Sequence, residues 1–379
     1  MQKRVYWIQG DGIGAECWKA ARPVIDAAVA KEYGQEHSFE WVELLAGEKA
    51  VQETGTPLPQ ETLDTLAHAE LAMKGPLGTP VGHGIRSLNV ALRRTLDLYA
   101  CIRPIQYFDG LETPVKHPER VNMVIFRENT EDVYAGIEYA ANTPEARKLV
   151  ELLESLGAKV APDAAIGLKP MTEGGSKRLV RRAIRFALDQ KRASVTLVHK
   201  GNIMKYTEGA FRQWGYDVAA QEFGDLTCTE KEPQDGKLII KDRIADAMFQ
   251  EALLHPEQYQ IIATPNLNGD YLSDALAAQV GGLGLAPGVN MSDTLAFFEA
   301  THGTAPTIAG QDKANPGSLI LCGALMLDHV GWHGAATRIR AAVNKAIAAK
   351  TVTCDLAGQI AGSTTVGCTQ FGELVLAGL

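Results

Sequence analysis

The sequence predicts an α/β protein built on a mainly parallel β-sheet and divided into more than one domain. Three observations carry this prediction. Short β-rich runs alternate with longer amphipathic stretches from residue 4 onward. The 379 residues exceed the roughly 250–300 at which a single core stops growing. The composition, 46% hydrophobic and 22% charged, is that of a packed globular chain. Lys and Arg number 37 against 45 Asp and Glu, a formal net charge of −8, which argues against nucleic acid or an anionic membrane as partner. A small anionic ligand therefore needs a local cluster of cations. Cys17, Cys101, Cys228, Cys322, Cys354 and Cys368 show no C-x-x-C pair or metal-like spacing and read as packing residues of a reduced, cytoplasmic protein. MQKRVYWIQGDGIG has too few apolar positions before its glycine turn for a signal sequence or a membrane span.

The elements follow in order. RVYWIQ reads as a strand, and a helix over about 15–33 places Trp18, Ala21, Ile25, Ala28 and Val29 on one face. Gly34 suits its C-cap, and Pro23 breaks its hydrogen-bond ladder and predicts a kink. FEWVELL, a helix near 59–68 and ELAMKG complete a β-α-β-α-β start. Residues 132–172 lose the rhythm: TPEARKLVELLESLGAKV is helical without a buried strand after it, which predicts an inserted subdomain. The rhythm resumes with a helix around 175–190, the strand SVTLVH, a helix after Met204, the strand KLIIK, a helix over 242–254 and the strand YQIIA. The last hundred residues are glycine-rich and then helical, over about 318–329 and 335–349. No repeat or flexible linker appears, so the domains share the chain discontinuously.

GDGIG at 10–14 lies between a strand and a helix, where a dinucleotide fingerprint would lie. The third glycine arrives one residue early, Ala15 occupies the place of the last, and Glu40 and Glu43 stand further along than the ribose-binding acid should. A tight strand-to-helix turn with close backbone approach fits better than a Rossmann loop.

Three constellations carry chemistry. Lys74, Arg86, Arg93, Arg103 and Arg127 cluster in and after a glycine-rich stretch of an otherwise acidic chain. Each alone reads as a solvated surface cation; together, with the bidentate fork of arginine, they imply a substrate with more than one carboxylate. Asp270 and Asp274, four apart at a helix start, share one face and repel unless a cation lies between them; oxygen-only donors point to Mg²⁺ or Mn²⁺. A helix-start charge effect is the plainer account of either one. Lys200, at the end of a hydrophobic strand, is a candidate for proton transfer, solvation being the default.

SLNVALRRTLDLYACIRP, MVIFRENTEDVYAGIEY, SVTLVHKGNIMKYTEGAFRQWGY, NLNGDYLSDALAAQVGGLGLAPG and EATHGTAPTIAGQDKANPGS, in this order, resemble the β-decarboxylating dehydrogenase family of isocitrate and isopropylmalate dehydrogenases, its bacterial isocitrate branch above all. The similarity runs through nearly the whole chain. It implies an isocitrate/isopropylmalate dehydrogenase-like fold, not a Rossmann fold, with a large domain from 1–98 plus 281–379, a small domain from 99–131 plus 173–280, and a clasp at 132–172 exchanged within a homodimer. It implies oxidative decarboxylation of isocitrate to 2-oxoglutarate and CO₂. Thr79, Ser87, Asn89, Arg93, Arg103 and Arg127 would hold the carboxylates, and Tyr134 and Lys200 would be the acid and base. Asp246, Asp270 and Asp274 would bind Mg²⁺ or Mn²⁺, Lys200 and Asp246 reaching across the dimer interface. Asn202, His302, Gly303, Thr307, Ile308, Asn315 and Asp355 would contact the dinucleotide.

The same resemblance raises alternatives. Ser87, a phosphorylation position in some relatives, and Asn89 suit a carboxylate arm better than the apolar arm of isopropylmalate; homoisocitrate dehydrogenase and a non-catalytic regulatory subunit are further readings. NADP-using relatives place lysine, tyrosine, tyrosine and arginine around the 2′-phosphate. Thr307, Ile308, Cys354 and Gly358 stand there in this chain, from which NAD is expected, with Lys313 the first cation to test otherwise. Gly78, where threonine is common, and His83, inside a glycine run, are departures.

Overall fold

Runs of buried, β-rich residues build one large sheet. A computed structural model describes residues 1–78 and 87–379. β1 (Gln2–Ile8) leads through GDGIG into α1 (Gly14–Tyr33), β2 (Ser38–Glu43), α2 (Glu48–Thr54), α3 (Gln60–Ala67) and β3 (Leu71–Lys74). α1 buries Trp18, Ala21, Ile25, Ala28 and Val29, ends at Gly34 with φ 60°, and continues through Pro23. The expected kink does not break it, because Pro23 lies on the exposed face, where water can satisfy the carbonyl left free.

The GDGIG turn is a clamp. Gly12 has φ +55°, and a Cβ there would stand 2.1 Å from the carbonyl oxygen of Thr304. Asp11 accepts the backbone N–H groups of Glu48 and Gly78, each at 2.7 Å, so three loops are tied to one carboxylate.

α4 (Leu88–Thr95), β4 (Ala100–Gln106) and β5 (Asn122–Glu128) precede the insert, where β6 (Glu138–Tyr139) and β7 (Ile166–Gly167) flank α5 (Pro144–Ser155). β6 and β7 pair only with each other, apart from the main sheet. The chain continues through α6 (Glu173–Asp189), β8 (Ser194–His199), α7 (Glu208–Phe223), β9 (Thr227–Thr229), β10 (Leu238–Ile244), α8 (Ala245–Leu254) and β11 (Ile261–Thr264). The helix expected over 242–254 thus begins three residues late. Asp242 and Arg243 stay in β10, in register with Leu197 and Val198 of β8, and the ladder outweighs helix propensity there. α9 (Asn266–Ala278), β12 (Pro287–Met291), β13 (Ala296–Ala300), α10 (Gly317–His329), α11 (His333–Ala348), α12 (Cys354–Ala357) and α13 (Cys368–Gly378) complete the order.

The sheet runs β2-β1-β3-β13-β12-β4-β5-β11-β8-β10-β9. Seven of its ten adjacent pairs are parallel; β12 is antiparallel to β13 and β4, and β4 to β5. The short connection between β12 and β13 leaves no room for a crossover and imposes the hairpin. Both faces are covered. Val124 and Phe126 join the core under α1, α6, α10 and α11, while Met123 and Ile125 join the one under α8 and α9, the period of two that a strand buried on both sides requires. Among the described residues no helix is long and apolar enough to cross a membrane.

Candidate active site

The antiparallel middle of the sheet brings the predicted cations together. Arg103 leaves β4, Arg127 leaves β5, and Arg93 comes from α4; all three are largely buried. Arg127, 1% exposed, donates from Nε to Asn266 Oδ1 at 2.9 Å and from Nη1 to Asp270. Arg103 donates to Ser273 Oγ at 2.5 Å and Asp274 Oδ1 at 3.2 Å. Asp270 and Asp274 therefore share one face of α9, as their spacing demands, and meet a guanidinium each. Burial, then Arg93 and Arg103, lower the pKa of Arg127. The guanidiniums are close enough to repel, a strain that an anion between them would relieve.

Tyr134 stands in a 3₁₀ turn over Asp132–Ala135. Its hydroxyl donates to Asp270 Oδ2 at 2.5 Å, and the Arg127 guanidinium lies 4.9 Å from its ring centre. Burial and the adjacent carboxylate push the phenol up to about 12, so it keeps its proton at neutral pH. Burial would raise Asp270, but Arg127 and the Tyr134 hydroxyl hold it below its ordinary range. Asp274 moves upward, through burial and the nearby Asp270.

Sequence reasoning missed the group beneath the arginines. Glu299, at the end of β13, is buried and pairs with Lys74 Nζ at 2.6 Å and Arg93 Nη2 at 2.8 Å, and it accepts from Asn290 Nδ2 at 2.6 Å. Burial opposes its charge, yet the two cations hold it well below the usual carboxylate range. The available signal was a single glutamate inside the apolar strand AFFEA. Glu299→Gln leaves Lys74 and Arg93 without their counter-ion, and a loss of about 2–3 kcal/mol in unfolding free energy is expected. An unchanged urea midpoint would show that the ion cluster adds nothing.

Other predicted residues are placed as follows. Ser87 is the N-cap residue of α4, with no side-chain cap bond. Asn89 donates to the Leu77 carbonyl at 3.3 Å, and its Oδ1 is buried without a partner among the described residues. Thr79, His83 and Arg86 lie outside the described residues. His302 has Nδ1 3.0 Å from the Gly303 carbonyl oxygen and a buried Nε2 without a partner among the described residues. Asn315 donates to Asp355 at 3.0 Å and accepts the Gly317 N–H at 2.8 Å. Thr307 is exposed, its carbonyl taken by Gln311, and Ile308 packs against the core.

Lys200 and Asp246 stand apart from this set. They pair with each other at 2.5 Å, with Asp246 71% exposed, and Asn202 is exposed in the turn that follows Lys200. Among the described residues no three His, Cys, Asp or Glu side chains converge as a metal-binding group. One chain thus supplies Asp270 and Asp274 as a partial set of hard oxygen donors, a chemistry that fits Mg²⁺ or Mn²⁺ once a further donor joins.

A family model described as isocitrate/isopropylmalate dehydrogenase matches residues 4–375. The isocitrate dehydrogenase [NADP] of Pseudomonas aeruginosa (strain UCBPP-PA14) is 55% identical, over 98% of this chain and 92% of its own. That of Staphylococcus aureus (strain Mu50 / ATCC 700699) is 51% identical over 98% and 94%. The crystal structure of isocitrate dehydrogenase from Methylococcus capsulatus matches with a TM-score of 0.83 at 39% identity, covering 99% of this chain and 98% of that one.

The expected preference for NAD is corrected by these relatives, two of which are named for NADP at 51–55% identity. The expectation rested on Thr307, Ile308, Cys354 and Gly358 together offering no cation or phenol, yet a phosphate is recognised by charge from any direction. Lys313 is an exposed cation on the same segment; its carbonyl oxygen lies 3.5 Å from Cys354 Sγ, and its Nζ donates to Gln311 at 3.0 Å.

Proposed function

Since the chain belongs to the isocitrate/isopropylmalate dehydrogenase family, we propose that it is an isocitrate dehydrogenase using NADP and Mg²⁺ or Mn²⁺. The observation that carries this reading is the meeting of Arg127 with Asp270 and Tyr134 and of Arg103 with Asp274, with Arg93, held by Glu299, close enough to lower the pKa of Arg127. Three buried guanidiniums suit a tricarboxylate, and Ser87 and Asn89 offer polar partners where an isopropyl arm would need apolar ones. The presence of Tyr134, Lys200 and the three aspartates supports a catalytic chain over a regulatory subunit.

Asp270 and Asp274 would hold the divalent cation, with Asp246 from a second copy as the further ligand. When bound, the cation would polarise the C2 oxygen of isocitrate, and NADP would accept the C2 hydride. The arginines fix the carboxylates so that C2 is held in one orientation. Lys200 of the second copy would take the hydroxyl proton. Tyr134, protonated at neutral pH, would deliver a proton to carbon once CO₂ has left.

A homodimer is supported by large apolar side chains on the surface around these groups: Ile203 is 70%, Tyr206 93% and Tyr271 60% exposed. Six unpaired cysteines support the cytoplasmic location expected from the sequence.

Initial rates with Mn²⁺ test the reading. Isocitrate with NADP should turn over, 3-isopropylmalate should not, and kcat/KM should be higher for NADP than for NAD. Turnover of 3-isopropylmalate alone would overturn the substrate assignment. Lys313→Ala should raise the KM for NADP about tenfold while leaving that for NAD unchanged; equal effects on both would remove Lys313 from the phosphate site. Tyr134→Phe should lower kcat about 10²-fold with little change in isocitrate affinity. A normal kcat for Tyr134→Phe would reassign the acid.

A further inference from the structure

A cavity of about 1060 Å³ lies on the face of the sheet opposite the arginine cluster. Strand alternation creates it. Along β4, Arg103 meets Asp274 while Ile102 and Pro104 line the cavity; along β12, Asn290 bonds Glu299 while Val289 and Met291 line it. α6 walls one side, and α10 with α11 walls the other.

The wall is cationic in an acidic protein, with six arginines against three aspartates. Four of these arginines are committed: Arg178 to Asp97, Arg181 to Glu222, Arg182 to Tyr99 and Asp293, and Arg340 to Asp328. Two are not. Arg185 is exposed and has no hydrogen-bond or ion-pair partner among the described residues, and Arg192 has one long bond, to Asn122 Oδ1 at 3.4 Å. Phe186, part-exposed, lines the cavity and packs edge-to-face on the buried Phe126 at 5.3 Å between ring centres. A concave apolar floor with a few uncommitted charged groups is the ordinary chemistry of a small-molecule site.

We infer that this cavity binds a small organic anion, its planar apolar body against Phe186 and its anionic group paired with Arg185 and Arg192 at the rim. Both parts are required. Inorganic phosphate can use the guanidiniums but not the floor, and a neutral aromatic can use the floor but not the charge. The site shares no residue with the arginine cluster across the sheet, so its occupation is independent of the activity proposed above.

Isothermal titration of the full chain with 1-naphthyl phosphate tests this. Binding of about one molecule per chain is expected, with inorganic phosphate and 1-naphthol each at least about tenfold weaker. Arg185→Ala/Arg192→Ala should weaken naphthyl phosphate about tenfold or more while leaving turnover and thermal unfolding unchanged. Arg127→Ala, on the other face, should leave binding intact. Wild-type affinity in the double variant, loss of binding in Arg127→Ala alone, equal binding of inorganic phosphate, or no binding by the wild type would each overturn the inference.

Discussion

Asp270→Asn is expected to lower kcat with isocitrate by about 10³-fold or more and to leave the fold intact. The carboxylate neutralises Arg127 and accepts the Tyr134 hydroxyl at 2.5 Å, and in the proposed mechanism it would supply one of the charges that hold a divalent cation. The amide removes that charge and half of the acceptor capacity, and several kcal/mol of transition-state stabilisation go with them. The side chain keeps its volume and is about a third exposed, so unfolding should shift little. The check is a pair of measurements: Mn²⁺ titration of activity, in which the variant needs far more metal, and urea unfolding, in which the two proteins nearly coincide. Wild-type activity in excess EDTA would remove the metal from the mechanism altogether.

Arg127→Ala is expected to cost about 3–5 kcal/mol in kcat/KM for isocitrate, or roughly 10²- to 10³·⁵-fold. Arg127 is 1% exposed and bonds both Asn266 and Asp270, so truncation leaves a buried acceptor and a carboxylate without their cation as well as removing a proposed substrate partner. Arg127→Lys restores the charge without the planar fork and should recover only part of the loss. Because Asp270 is coupled to Arg127, the double variant Arg127→Ala/Asp270→Asn should lose less than the sum of the two single losses. Strict additivity would show that the pair does not act as one unit.

The placement of the acid pair and of several strands was legible in the sequence, because it is local to short segments. Asp270 and Asp274 share a face of α9 for the helical reason that predicted it, and RVYWIQ, SVTLVH and YQIIA became strands because apolar β-branched runs bounded by turns have few other outcomes. GDGIG likewise carried its own correction in its spacing, and the structure shows a clamp built on Asp11. The misses have a common cause, dependence on residues far away in the chain. Glu299 lies 225 residues from Lys74 and 206 from Arg93, and only the pairing of β13 beside β3 brings the three together. The start of α8 was misplaced because Asp242 answers to β8 across the ladder and to Tyr216 from α7, not to its own neighbours. The cofactor expectation failed for a related reason: four positions read along the chain do not exhaust the charges that can reach a phosphate in space. The sequence alone determined which segments are helix or strand and which side chains can bear charge, metal or proton. Tertiary structure decided which of those charges face each other, because in a buried site Coulomb energy depends on separation through space and not on distance along the chain.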